Sequence, residues 1–216
     1  MANSVKIKIE GDDSSYSKTI ENLASKTKAS MADVKAGIDL ATQALNKFAE
    51  VAKKGIDYNA QMEQLQTSFE VMTGSAEKAT ETVQKLRKLG AETPYETSDL
   101  ASITQLLMQY GFAADDAVEK MTMLGDIAQG NVQNMTSIAT GYAQMSSAGK
   151  VNLQDIKQMI NGGFNPLQEI SERTGESMSD LYDRISDGKM SVDEITESMK
   201  YATSEGGKFY QSMEKQ

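Results

Sequence analysis

The sequence predicts an all-α protein in two unlike parts: a long N-terminal helical arm, kinked near 53–56 and preceded by one short strand, then a compact multi-helix bundle. Three observations predict it. Apolar residues recur at helical spacing along almost the whole chain. Aromatics make up only 6% of the 216 residues and Trp is absent, so the core must be drawn from Leu, Ile, Met and Ala on packed helices. Beyond residue 72 the texture changes, with Gly, Pro and cap signals arriving at short intervals. The organisation expected is an arm over 1–72, a bundle over 73–206, and the start of a further helix over 207–216.

The elements follow in order. Val5, Ile7 and Ile9 alternate with Lys6 and Lys8, which is a strand period over 4–10, closed by Gly11-Asp12-Asp13. A lone strand leaves its edges open and needs a partner chain or a second copy. From about 13 to 72 the period is helical: Val34, Ile38, Ala41, Leu45 and Phe48 step by four and three. The register shifts at Phe48–Val51, then continues through Gly55, Tyr58, Met62, Leu65, Phe69 and Met72. Two consecutive threes form a stammer, and Gly55 lies just beyond it where helical propensity is lowest, which places the kink. The pattern suits either an amphipathic helix packed on its own domain or a coiled-coil arm that self-associates through this N-terminal helix.

In the bundle, Ser75 opens a helix to about 90, and Thr93-Pro94 breaks it because a residue before Pro avoids helical angles. Ser98 is expected to cap the next, with Leu100, Ile103, Leu106, Leu107 and Tyr110 on its apolar stripe and Gly111 at its end. Helices over Asp115–Gln129, ended by Gly130-Asn131, and over Asn134–Ser147 follow. A short internal echo then appears: Gly149-Lys150-Val151-Asn152-Leu153-Gln154-Asp155-Ile156 recurs in kind as Gly188-Lys189-Met190-Ser191-Val192-Asp193-Glu194-Ile195, offset by 39. Each copy has a Gly-Lys turn, an apolar anchor and a cap with an acid three residues on, a capping-box arrangement. Asn165-Pro166 starts another helix with Pro at its first position, and Ser177–Ser186 reads as one more.

Composition narrows the function. The net charge is −9, which opposes sequence-independent nucleic-acid binding and docking on an anionic membrane. Cys and His are both absent, which removes disulfides, thiol catalysis, the usual zinc sites and histidine acid–base chemistry, and fits a cytosolic origin. No apolar run approaches the roughly 18 residues of a membrane span, and the first residues lack the apolar region of a signal peptide. Fourteen Met residues serve as pliable core filler or as an adaptable surface for a partner helix.

No group of residues assembles into a catalytic, cofactor or metal site. Asp183, Asp187, Gly188, Ser191 and Glu194 fall at positions of a calcium-binding loop, but Ile185 stands where an oxygen ligand is required. The adjacent acids Asp12/Asp13, Asp115/Asp116 and Asp193/Glu194 diverge on a helix and suit first turns rather than a shared substrate. Gly162-Gly163 lacks the spacing and Lys of a phosphate-binding loop and reads as a helix end running into a capped helix. The basic run Lys85, Arg87, Lys88 reads as a helix C-terminus complementing the dipole.

Several segments in order resemble the N-terminal domain of phage tail tape-measure proteins. They are QMEQLQTSFEVMTGS from Gln61, LRKLGAETPYETSDLASITQLLMQYG from Leu86 and LGDIAQGN from Leu124. GKVNLQDIKQMINGGFNPLQEISERTGES from Gly149 and ISDGKMSVDEITESMKYATSEGGKFY from Ile185 complete the set, so the resemblance covers about 56–211. It implies a virion structural and assembly protein of a bacteriophage or prophage tail, not an enzyme. Such a protein occupies the tail-tube lumen, sets tail length, and is handled by tail assembly chaperones in the host cytoplasm. Tail-tube and tail-tip proteins are its other implied partners, and peptidoglycan-cleaving domains occur elsewhere in some such chains. A generic bacterial helical adaptor or secretion-associated helical protein is the alternative. One physical check applies: a ruler is long and uninterrupted, whereas 74–206 is broken at short intervals and suits a folded head, with the ruler expected downstream.

Overall fold

A computed structural model describes residues 57–214. The chain divides into two units, 1–60 and 61–216. Of the first, the described residues 57–60 are helical. The expected strand, the kink near 53–56 and most of the arm lie outside the described residues, as do Asp12 and Asp13.

All regular structure among the described residues is helical. Helix α1 is described over 57–73, and its residues 61–73, which the sequence groups with the arm, lie within the second unit. There Phe69 is fully buried and Met62 and Leu65 pack against the core, while Val71 faces solvent. This is the stripe the apolar spacing predicts. Helices α2 (Ala76–Glu92), α3 (Thr97–Gln109), α4 (Ala114–Ala128) and α5 (Val132–Ala148) follow. The shorter helices α6 (Leu153–Asn161), α7 (Pro166–Thr174) and α8 (Met178–Ser186) come next, then α9 (Val192–Thr203).

Helix α4 is the hub, with α2, α3, α5 and α9 all packed on it. Its buried Met121, Leu124 and Ile127 meet Leu100 and Leu107 of α3 and Met135 and Ile138 of α5 in one continuous core. Helices α5 and α6 form the tightest pair, and α9 returns to cover both α4 and α7. Burying each Leu, Ile or Met side chain contributes about 1.5–3 kcal/mol. The buried methionines 121, 123, 135, 145, 159, 190, 199 and 213 act as core filler between these helices.

Four of the helix junctions are one device repeated. A glycine with positive φ (Gly111, Gly149, Gly163 and Gly188) ends a helix. The next residue's N–H reaches back to a carbonyl five residues earlier: Phe112 to Leu107, Lys150 to Met145, Phe164 to Met159, Lys189 to Arg184. This is the Schellman closure, which needs a left-handed residue and therefore favours glycine. A buried apolar residue follows at three of them, Val151, Phe164 and Met190, and then a capping side chain, Asn152, Asn165 or Ser191. The sequence echo at offset 39 is two instances of this device. In the second the capping box is complete: the Ser191 hydroxyl accepts from the Glu194 N–H at 3.2 Å, and the Glu194 carboxylate accepts from the Ser191 N–H at 2.9 Å. In the first, Asn152 accepts from the Gln154 and Asp155 N–H groups, but the shorter Asp155 is held by the Asn152 side-chain amide and not by its backbone.

Four local expectations are corrected. Ser98 does not cap α3; the helix begins at Thr97 behind Glu96, and Ser98 lies inside the first turn. Asn131, read as the end of α4, instead caps α5 by accepting from the Asn134 N–H at 2.9 Å, so α5 starts at Val132. Gln129 itself takes the left-handed position after α4, at φ 47°, a place where glycine is expected. The basic run is not in a last turn, because α2 continues to Glu92.

After α9 the chain turns at Gly206-Gly207 and runs back over the bundle as successive turns through 208–214. Phe209 and Met213 are buried there, Phe209 edge-on to Phe164 with ring centroids 6.2 Å apart.

Candidate functional site

Polar side chains converge at three places. The first joins α8 to the start of α9. Arg184 pairs with Glu176 at 2.9 Å through one guanidinium nitrogen and with Glu194 through the other. Burial alone would raise the Glu194 carboxyl. The Ser191 N–H, the Arg184 guanidinium and the Ser191 hydroxyl overcome it and hold the group below the ordinary glutamate range. These contacts engage the residues of the calcium-loop pattern. Glu194 is engaged on both oxygens, Asp187 pairs with Lys189 at 2.8 Å, and Ile185 is a core residue. Among the described residues no three acidic side chains converge as metal ligands.

The second is Tyr95, in the loop between α2 and α3, whose ring is buried against the end of α4. Its hydroxyl donates to the Gly125 carbonyl at 2.9 Å and accepts from the Gly130 N–H at 2.8 Å. Burial pushes this phenol up to about 12; the Gly130 N–H lowers it and Asp126 raises it. Nothing in the local sequence marks this residue except its place after Thr93-Pro94.

The third is a cleft of about 600 Å³ between α4, α5 and α9. Asp116 and Lys120, one turn apart on α4, line one wall; Ser191, Asp193, Thr196 and Lys200 of α9 line the other. Phe112 and Tyr142 also line it, their ring centroids 5.7 Å apart and their planes tilted by 35°, and the Tyr142 hydroxyl lies 2.9 Å from the Thr196 hydroxyl, tying α5 to α9. The Lys120 side chain is 9% exposed and pairs with Asp116 at 2.9 Å and with Glu119 at 3.5 Å. Lys200 pairs with Glu197 at 3.3 Å. Burial would lower the Lys120 ammonium, but Asp116, with Tyr142 and Glu119, raises it.

The remaining singled-out residues have structural duties. Asp115 and Asp116 diverge as adjacent helical residues do: Asp115 reaches Lys85 of α2 at 2.6 Å, and Asp116 turns to Lys120. Gly162 ends α6 where a β-carbon would stand 2.9 Å from the Asn134 carbonyl and 2.6 Å from an Ile138 side-chain carbon, so the glycine lets α6 touch α5. The Gly162-Gly163 pair does run straight into capped α7. No described helix is long and apolar enough to cross a membrane. These groups do what helix–helix joints require: they cap ends, pair charges across interfaces and seat backbones closely.

The sequence matches the family described as Tape measure protein over residues 53–216, which takes in every described helix. Neither a curated protein nor a solved structure matches the chain. With three quarters of the chain inside that match and its described part built of helical joints, the chain belongs to the tape measure protein family, structural components of phage tails.

Proposed function

We propose that residues 61–214 form the folded head of a tail tape-measure chain, and that the segment setting tail length lies outside this bundle. The observation that carries this is helix length. The longest helices with both ends described, α2 and α5, have 17 residues, about 26 Å at 1.5 Å per residue, and each ends where the chain changes direction. A bundle that reverses so often adds little contour to a ruler. Its place in the particle is then the tail-tube lumen, and its partners are tail-tube and tail-tip proteins, with tail assembly chaperones on the unassembled chain in the host cytoplasm. Self-association belongs to the N-terminal helix, by its heptad spacing.

The test is an in-frame deletion of residues 150–189 in the parent gene, read as tail length by electron microscopy. The proposal expects either no tails or tails of normal length, because the deletion removes folded joints. Tails shortened by about 60 Å, the linear helical equivalent of the deleted stretch, would overturn it.

A further inference from the structure

We infer that the cleft between α4, α5 and α9 is a docking site for a basic side chain, arginine above all, carried by a segment of a partner protein. Its charges are unequal. Both lysines in its walls are already matched, Lys120 by Asp116 and Glu119, Lys200 by Glu197. Asp193, exposed in the first turn of α9, adds a further carboxylate to the rim. Asp116 and Asp193 line the cleft, and Glu119 and Glu197 lie beside its two lysines from outside the lining, so four carboxylates surround two ammonium groups and a cation is favoured over an anion.

The shape fits the same ligand. Phe112 is half-buried in the lining and offers a ring to a planar cation, while the neighbouring Tyr142 is held by Thr196. Asp116 on one wall and Asp193 on the other offer acceptors to the fork of donors of a guanidinium, which an ammonium uses less well. The walls are preorganised: α9 is fixed by its complete capping box, and Lys120 is packed rather than mobile. The surrounding field points the same way. Residues 57–216 hold 24 acidic and 13 basic side chains, so this part of the chain carries all of the negative charge excess and steers cationic segments toward itself.

The experiment uses the full 216-residue chain and a capped peptide, acetyl-Gly-Arg-Gly-Arg-Gly-amide, titrated while amide resonances are followed by NMR. Saturable shifts confined to residues around 112–120, 142–149 and 191–200 are expected. The affinity should fall at least fivefold for Asp193→Asn and for Phe112→Leu, and stay unchanged for Asp180→Asn, an exposed first-turn acid of α8 away from the cleft. Replacing arginine by citrulline should abolish the shifts. The proposal is overturned if cleft resonances stay still at millimolar peptide. It is equally overturned if the citrulline peptide binds as well, or if shifts spread over the acidic surface and ignore Asp193→Asn.

Discussion

The hydroxyl of Tyr95 donates to the carbonyl of Gly125 at 2.9 Å, joining a loop to the last turn of a helix 30 residues away. That carbonyl already accepts the Gln129 N–H at 3.1 Å, and the same hydroxyl accepts from Gly130. Tyr95 therefore locks the left-handed turn at Gln129 and Gly130 that sends the chain from α4 into α5. Tyr95→Phe keeps the ring and leaves the Gly130 N–H without this partner. It should cost about 1–3 kcal/mol in urea unfolding.

The same group gives an alkaline signature. A phenol whose folded pKa is about 12, against an ordinary value near 10, binds its proton more tightly in the folded state. Its contribution is fully present below the unfolded value and is lost as pH rises through that window. Stability should thus fall between about pH 10 and 12, and the Tyr95→Phe protein should show a shallower fall over the same range. Equal slopes in the two proteins would refute the assignment.

How much of this was legible depended on range. Ser75, Asn165, Ser177 and Ser191 declared themselves as caps because a cap acts within three residues. The stripe on α3 was readable because its period is local. Ser98 misled because Thr97, Ser98 and Asp99 are all plausible starts, and the helix chose Glu96 with no side-chain cap. Tyr95, Gly125 and the cleft were not legible. Their meaning lies in contacts between segments tens of residues apart, and a single sequence shows the residues without showing the meeting. The Asp116 and Lys120 pair at helical spacing was the one local trace of the cleft.

Gly141 tests the close approach of α5 and α6. A β-carbon there would stand 2.7 Å from the Asp155 carbonyl and 3.1 Å from a Met159 side-chain carbon. On an open helix Gly→Ala gains close to 1 kcal/mol. Here the backbone carbonyl cannot swing away, so Gly141→Ala should instead destabilise by about 1–3 kcal/mol, with the loss read in denaturant midpoint. A more stable variant would show that α6 can shift outward freely.

Two glutamates should respond oppositely to pH. Glu169 is buried on α7; burial first, then Glu172, raise its carboxyl, against the pull of Lys208. A raised carboxyl stabilises the fold at low pH and loses that contribution as pH rises through the carboxylate window. Glu194 is held low, so its contribution is present above the unfolded value and is lost as pH falls through the folded one. Glu169→Gln should therefore stabilise the protein at neutral pH and lose that advantage in acid. Ser191→Ala should cost about 1 kcal/mol at neutral pH, and less once Glu194 is protonated. Thermal melts from pH 3 to 7 on both variants decide it, and parallel profiles would count against both assignments.

The returning segment 208–214 is held differently from the helices it crosses. Its backbone makes few bonds to the bundle: the Phe209 N–H donates to the Ala202 carbonyl at 2.8 Å and the Met213 N–H to the Asp126 carboxylate at 3.0 Å. The Ser212 hydroxyl adds a bond to the Asp126 carbonyl at 3.1 Å, and Phe209 and Met213 are buried, with Met213 filling the space left by the missing β-carbon of Gly125. Met213→Ala empties that space, and a buried Met→Ala change costs about 2–5 kcal/mol where the site cannot collapse. The turns carry no helical ladder that ties them to α9, so the strap should open before the bundle does. Amide exchange in Met213→Ala should accelerate across 205–214 and at Gly125–Asp126, while amides in α5 and α6 keep their wild-type protection. Uniform acceleration through α5 and α6 would mean that the strap is integral to the core and does not open independently.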